Sequence, residues 1–421
     1  MSFKERSGSY LSRWQWVLIT LFVFAFLCRG VFVLTMQEGF YFPDSVHYWA
    51  AGVSLLTNGE FGETYRRAPI YPLFLAGIFG LFTQSILVVR IVEALMGAGL
   101  VTLIAIIARR IGGESVGALA GLLWSIYPLG IFIAGLIYPT GVATTLLACA
   151  MLCMVRKPDQ DLSLRPVIAG GILLGLTALT IPVALVTVVS TALWIIYSQG
   201  TGRLFLATVF LCGAALPLVL WTGRNFHVYD RFVIVEPRIV EQLPPIGTAK
   251  TDETAKKSDE KVKRILERPR AFALHFIEQF GNFWELYPSR IRMNRAGFRE
   301  KKHAEDPRIV KETVFSTSWT LLVSLLSVAP MFLFALIGTG VMWFRKKPRH
   351  HLLLLCGTIL SFAIGYSIFW SKLRYRFPIE PYITILTAYG LTQTWLALRR
   401  GLGRKTSLDA KKSQLSMDRL T

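Results

Sequence analysis

At 421 residues, 53% hydrophobic and 13% aromatic, the chain is too apolar for an ordinary soluble domain and reads as an all-α, polytopic membrane protein. Its formal charge of +20 suits positive cytoplasmic loops and anionic membrane lipids rather than a nucleic acid, yet part of that charge falls on the opposite face and needs a separate reason. The five cysteines, Cys28, Cys149, Cys153, Cys212 and Cys356, all lie in apolar runs, which argues against a disulfide framework or a zinc site.

The predicted spans are Trp14–Thr35, Ser85–Ala108, Val116–Ile137, Gly141–Val155, Val167–Thr180, Val183–Tyr197, Leu204–Trp221, Ser316–Phe344, Leu352–Trp370 and Ile379–Leu398. Trp14–Thr35 is too long for a signal-peptide core and lacks a small-residue cleavage site, so it is retained as a span. Pro182 divides the 167–197 region, which reads as a hairpin or as one broken helix. About ten spans place Arg13, Arg109, Arg110, Arg156, Arg165, Arg203, Arg345, Arg349, Arg399 and Arg400 on one side with both termini, and the charge bias makes that side cytoplasmic. Counting Ile70–Phe82 as a further span would break this order, so it reads as an interfacial or re-entrant helix on the outer side.

Two large outer loops follow. Residues 36–90 carry the Ile70–Phe82 helix and a second one over Asp44–Thr57, where Val46, Trp49, Ala50, Val53 and Leu56 recur at helical spacing and Asn58-Gly59 stops the run. Residues 222–315 hold a charged middle, 248–264, followed by the amphipathic stretch RAFALHFIEQFGNFWELYP, which suits the membrane interface. The membrane domain then takes residues 1–398 and a basic cytoplasmic tail takes 399–421. There is no internal repeat, which argues against a transporter.

Asp44 stands where the first outer loop turns helical. As part of Pro43-Asp44-Ser45 it reads as a helix N-cap, and equally as a general base at the membrane face, since a cap geometry also fixes the carboxylate. Arg66 and Arg67 precede Ala68-Pro69 on the face where cations oppose the usual bias; they are snorkelling interfacial cations or a phosphate fork. Lys372, Arg374 and Arg376 crowd a short outer loop with Tyr375, as an interfacial girdle or as the second part of an anion site. Arg224, at the outer end of a span, is a candidate third part. His47, Tyr48, Tyr71, Tyr138 and Tyr375 are the candidate pocket residues, and His47 reads first as a polar residue on the surface of its helix. Arg90 and Glu93, three residues apart, read as an ion pair on one helix face. Six scattered histidines without HxxxH spacing give no metal site, although a divalent ion is left open. The absence of GxxxxGK[ST] and GxGxxG argues against a nucleotide, so an outer-face enzyme needs a donor already in the membrane; a polyprenyl-phosphate-linked sugar fits.

From Trp14 to about Leu398 the chain resembles GT-C-fold glycosyltransferases of the protein-mannosyltransferase and aminoarabinose-transferase type. The resemblance is carried by the order and spacing of HYWAAG after Asp44, RRAPIYPLFLAG, RIVEALMGAGLVTLIAIIARRIGG, GALAGLLWSIYP, GLTALTIP, GRNFHVYDRFVIV and RYRFPIEPY. It implies that Asp44 is the catalytic acidic position, and that the Arg66-Arg67 pair and the RYRFP segment face the donor phosphate. It further implies a lipid-linked monosaccharide donor and a periplasmic or luminal site. Many relatives carry an acid in the next outer loop, where this chain has Tyr138-Pro139-Thr140. The aminoarabinose transferases add a soluble domain after the last span, where this chain has residues 399–421. The expectation is an inverting glycosyl transfer in a bacterial inner membrane, to a lipid, glycan or protein acceptor, with no cofactor. A lipid flippase, or a non-catalytic partner presenting the acceptor, is the alternative.

Overall fold

The structure is a computed structural model and describes residues 11–61, 67–156, 162–198, 200, 202–230, 232–236, 267–286, 308, 317–345 and 349–417. Among the described residues the regular structure is helical and no strand occurs. In chain order it comprises α1 (Arg13–Thr35), α2 (Pro43–Asn58), α3 (Ile70–Leu81), α4 (Ile86–Gly112), α5 (Glu114–Ser125), α6 (Pro128–Ile133), α7 (Thr140–Met154), α8 (Leu164–Ala178), α9 (Ala184–Ser198) and α10 (Arg203–Tyr229). These are followed by α11 (Pro269–Phe283), α12 (Thr317–Phe344), α13 (Arg349–Ser367), α14 (Leu373–Arg376), a 3-10 turn (Phe377–Ile379) and α15 (Glu380–Met417).

Five of these helices contain apolar stretches long enough to cross a membrane, within α1, α4, α10, α12 and α13, and α3, α7, α8 and α9 are shorter apolar helices. Leu34, Val219, Leu220, Leu333 and Leu336 are exposed on them, an outward apolar face that lipid solvates. Between the helices, α1 packs on α4 and α5, α4 on α7, α7 on α8, and α8 on α10, while α12 and α15 pair and α15 closes back on α5.

Local chemistry explains the boundaries. Ser12 and Gln15 form a reciprocal capping box that starts α1. Pro43 occupies the first turn of α2, and Gly59, at φ 71°, ends it in the left-handed region at the predicted stop. The 167–197 region is a pair of helices, α8 and α9, that pack on each other, so the hairpin reading holds.

The predicted span Val116–Ile137 is corrected: it divides into α5 and the short α6. Pro128 forces the preceding Tyr127 into an extended conformation (ψ 116°) and so ends the helix. The carbonyls left open at the end of α5 are met by Arg29 of α1. Its guanidinium donates to Trp124 O and Ser125 O, each at 3.2 Å, and to Ala25 O in its own helix. The last predicted span also differs at its end, because α15 continues past Leu398 to Met417.

Candidate active site

α2 and α3 pack against each other ahead of α4. Trp49 and Phe79 meet with ring centroids 4.6 Å apart, and Tyr48 meets Tyr71 edge-on at 5.3 Å. Arg90 on α4 ties down the chain that leads into α2, donating to Gln37 O at 2.9 Å and Gly39 O at 2.7 Å. The predicted Arg90–Glu93 ion pair is therefore corrected. Glu93 instead accepts a hydrogen bond from the Tyr71 hydroxyl at 2.7 Å, which locks α3 to α4.

Asp44 is the second residue of α2, with Phe42 at the cap position and no side-chain capping bond, so the N-cap reading is corrected. Two residues past the cap position, its carboxylate pairs with side chains outside α2 instead. Oδ1 accepts from Arg67 Nη2 at 2.7 Å, Oδ2 accepts a long bond from the Tyr138 hydroxyl at 3.4 Å, and Arg374 Nη2 stands 3.8 Å from Oδ2. The Asp44 side chain keeps 34% of its surface exposed, against 14% for Arg67 and 23% for Arg374, so the carboxylate is the open member of the cluster.

Aromatic rings hold the cations. Arg67 lies over Tyr48 at 5.4 Å. Arg374 lies among Phe42, Tyr138 and Tyr375 at 5.2, 4.8 and 5.4 Å, and Tyr375 stacks on Tyr366 at 4.4 Å. Burial by itself would raise the Asp44 pKa; Arg67 and Arg374 outweigh it, with a smaller contribution from His47, and the net shift is downward. Burial disfavours both cations too, but the Asp44 charge and the neighbouring phenols raise the pKa of Arg67 and Arg374.

The remaining predicted site residues separate. Arg376 does not face the anion site expected for it. It is fully buried, donating from Nε to Glu380 Oε1 at 2.9 Å and from Nη1 to Glu285 O at 2.6 Å and Phe283 O at 3.3 Å. The reason is helical geometry, since residues two apart in α14 point to opposite sides. Lys372 is exposed and has no carboxylate partner among the described residues. Arg224 lies over Phe61 and Trp221 at 5.1 and 5.4 Å and donates to Asn225 Oδ1, not to Asp44. Arg66 lies outside the described residues. Of the pocket candidates, Tyr138 touches Asp44, Tyr48 and Tyr375 support the two cations, and Tyr71 faces Glu93; the charge of His47 acts weakly on Asp44.

Sequence reasoning missed two charged residues. Arg29 carried a signal, being a cation within an apolar span. Glu236 carried none. Trp221 Nε1 donates to Val235 O at 2.9 Å and Asn225 Nδ2 to Val233 O at 3.3 Å, which folds residues 232–236 back until Val235 is buried with Phe61 and Ala68. Glu236 thereby comes near Tyr48, whose pKa is raised first by burial, with Glu236 acting in the same direction and Arg67 against it. Among the described residues no three His, Cys, Asp or Glu side chains converge as a metal site would require. A cavity of about 20 Å³ lies between Arg29, Glu93 and Trp124 rather than beside Asp44, with room for about one water.

These features describe a helical integral membrane protein with a GT-C fold. Residues 66–222, less than half of the chain, match the family profile of dolichyl-phosphate-mannose-protein mannosyltransferase. ArnT from Cupriavidus metallidurans, solved bound to undecaprenyl phosphate, superposes with a TM-score of 0.58 at 16% identity, covering 94% of this chain and 64% of that one. The Archaeoglobus fulgidus oligosaccharyltransferase superposes with a TM-score of 0.58 at 14% identity, covering 94% of this chain and 52% of that one. This chain thus spans less than two thirds of the length of either relative. The comparison with curated proteins found no match.

Proposed function

We propose that the protein transfers a monosaccharide from a polyprenyl-phosphate carrier to an acceptor nucleophile at the outer face of a bacterial inner membrane. The observation that carries this reading is the convergence of Arg67 and Arg374, from opposite ends of the chain, on the Asp44 carboxylate. The fold match to a structure holding undecaprenyl phosphate supports the choice of donor class.

In the reaction the acceptor oxygen or nitrogen attacks the anomeric carbon and its proton passes to Asp44. The bond from that carbon to the phosphate oxygen breaks, and the electron pair leaves with the polyprenyl phosphate. Attack opposite the leaving group inverts the anomeric centre. The donor phosphodiester carries one negative charge, and the departing monoester carries about 1.5 to 2 at neutral pH. Arg67 and Arg374 are placed to stabilise that growing charge, and Arg forks match phosphate oxygens. Arg66 and Lys372 remain candidates for the outer part of the same phosphate site. The 222–315 loop is the proposed acceptor side, with Glu236 at its inner edge.

The test is release of polyprenyl phosphate from lipid-linked monosaccharides by the purified protein in detergent. Turnover that falls about 10²–10⁴-fold in Asp44→Asn supports the transferase. Lipid movement in vesicles that survives Asp44→Asn, with no sugar released, would replace it with the flippase reading.

A further inference from the structure

Resting on that reading, we infer that Asp44 and the donor phosphate compete for the same two guanidiniums, so that the carboxylate becomes free to act as a base only once a phosphate has taken its place. In the structure Asp44 occupies the position an anionic ligand would fill. Arg67 is bonded to it directly at 2.7 Å, and Arg374 is held off at 3.8 Å, too far for a hydrogen bond. Arg374 is correspondingly under-satisfied. Its Nε is buried with no hydrogen-bond partner, and its other contacts are a hydrogen bond with Tyr375 and rings at 4.8 to 5.4 Å. One carboxylate therefore serves two cations, and one donor nitrogen is unused.

A phosphate changes this balance. Its several anionic oxygens can accept from both guanidiniums at once, whereas the carboxylate reaches only one at hydrogen-bond distance. The exchange also follows the chemistry. Charge on the phosphate grows as the carrier departs and holds both cations away from Asp44 more strongly. The carboxylate's affinity for a proton rises at the moment the acceptor must lose one. Such an interaction is stronger in the transition state than in the ground state, the condition for it to raise the rate. Tyr138 keeps a bond to Oδ2 and would hold the released carboxylate in place.

The decisive measurement is the affinity of undecaprenyl phosphate for the purified full-length protein in detergent, for wild type, Asp44→Asn, Asp44→Ala, Arg67→Ala and Arg374→Ala, with undecaprenol as the headgroup-free control. Competition predicts that removing the carboxylate charge tightens phosphate binding, by about tenfold. The two arginine variants bind at least as many fold more weakly, and undecaprenol is unaffected. Equal or weaker binding in Asp44→Asn, while binding still depends on Arg67 and Arg374, overturns the inference and leaves the transferase reading standing. Binding indifferent to both arginines overturns the phosphate site itself. Thermal unfolding of each variant identifies any that fails to fold; Asp44→Asn, which keeps the shape of the side chain, decides the matter if Asp44→Ala does not.

Discussion

Arg67 Nη2 meets Asp44 Oδ1 at 2.7 Å although the two residues lie 23 apart in the chain. The bond joins the first turn of α2 to the loop entering α3 and forms the polar edge of the joint between those helices. Arg374 reaches the same carboxylate from a turn near the end of the chain, so the site exists only when both halves of the bundle are assembled.

The neighbouring arginines Arg374 and Arg376 are expected to fail in different ways. Arg374→Ala should lower the thermal unfolding midpoint only modestly, through the loss of a partly exposed ion pair and its ring contacts, and lower kcat/KM by about 10²–10³. Arg376→Ala should destabilise the fold by about 3–5 kcal/mol, because it leaves Glu380 as an uncompensated buried charge. Replacing both members, Arg376→Met with Glu380→Leu, should recover much of that stability. Paired kinetic and unfolding measurements on each variant check the split.

The pH profile follows from the downward shift at Asp44. A folded pKa below the unfolded value of about 3.9 means that the carboxylate adds stability above that value, and that this is lost as pH falls through the folded pKa. The acid limb of kcat/KM in wild type should therefore lie below the ordinary carboxylate range. In Arg67→Ala, burial acts with one cation fewer against it, and the limb should move to higher pH. A limb that stays in place when Arg67 is removed would mean that another group controls the profile.

Arg29 should prove structural. Its loss removes the side-chain donor from the Ser125 carbonyl at the end of α5 and leaves the Trp124 carbonyl only the long bond from Tyr127 N at 3.4 Å, at a cost of about 1–3 kcal/mol for a buried group left unpaired. Arg29→Met should lower the unfolding midpoint, and any activity that remains should keep the wild-type KM for the donor.

Gly52 sets how closely α2 approaches α3. A Cβ there would stand 2.8 Å from Leu75 Cβ and 3.1 Å from Phe79 Cε2, whereas one at Gly77 on α3 would meet nothing within 4 Å. Gly52→Val should cost about 1–3 kcal/mol of overpacking and reduce kcat by moving Asp44 away from Arg67. Gly77→Ala should leave both quantities close to wild type. Unfolding midpoints and initial rates of the two variants test the comparison.

The helical membrane architecture and the extents of α2 and α3 were legible from the chain alone. Apolar runs, the proline at Pro43 and the Asn58-Gly59 stop are local signals whose physics acts over a few residues. Asp44 and Arg67 stood out as residue chemistry, because an acid and cations on the disfavoured membrane face need a reason, and the structure pairs them. Local signals could not separate Arg374 from Arg376, bring the charge of Glu236 to bear on Tyr48, pair Glu93 with Tyr71 instead of Arg90, or assign Arg29 to the break before Pro128. In most of these cases the partner lies dozens of residues away or more, and a charged group's role is set by what surrounds it once buried. A buried guanidinium must find an acceptor, a carboxylate or the rings of aromatic side chains, and only the packed bundle decides which of these it meets.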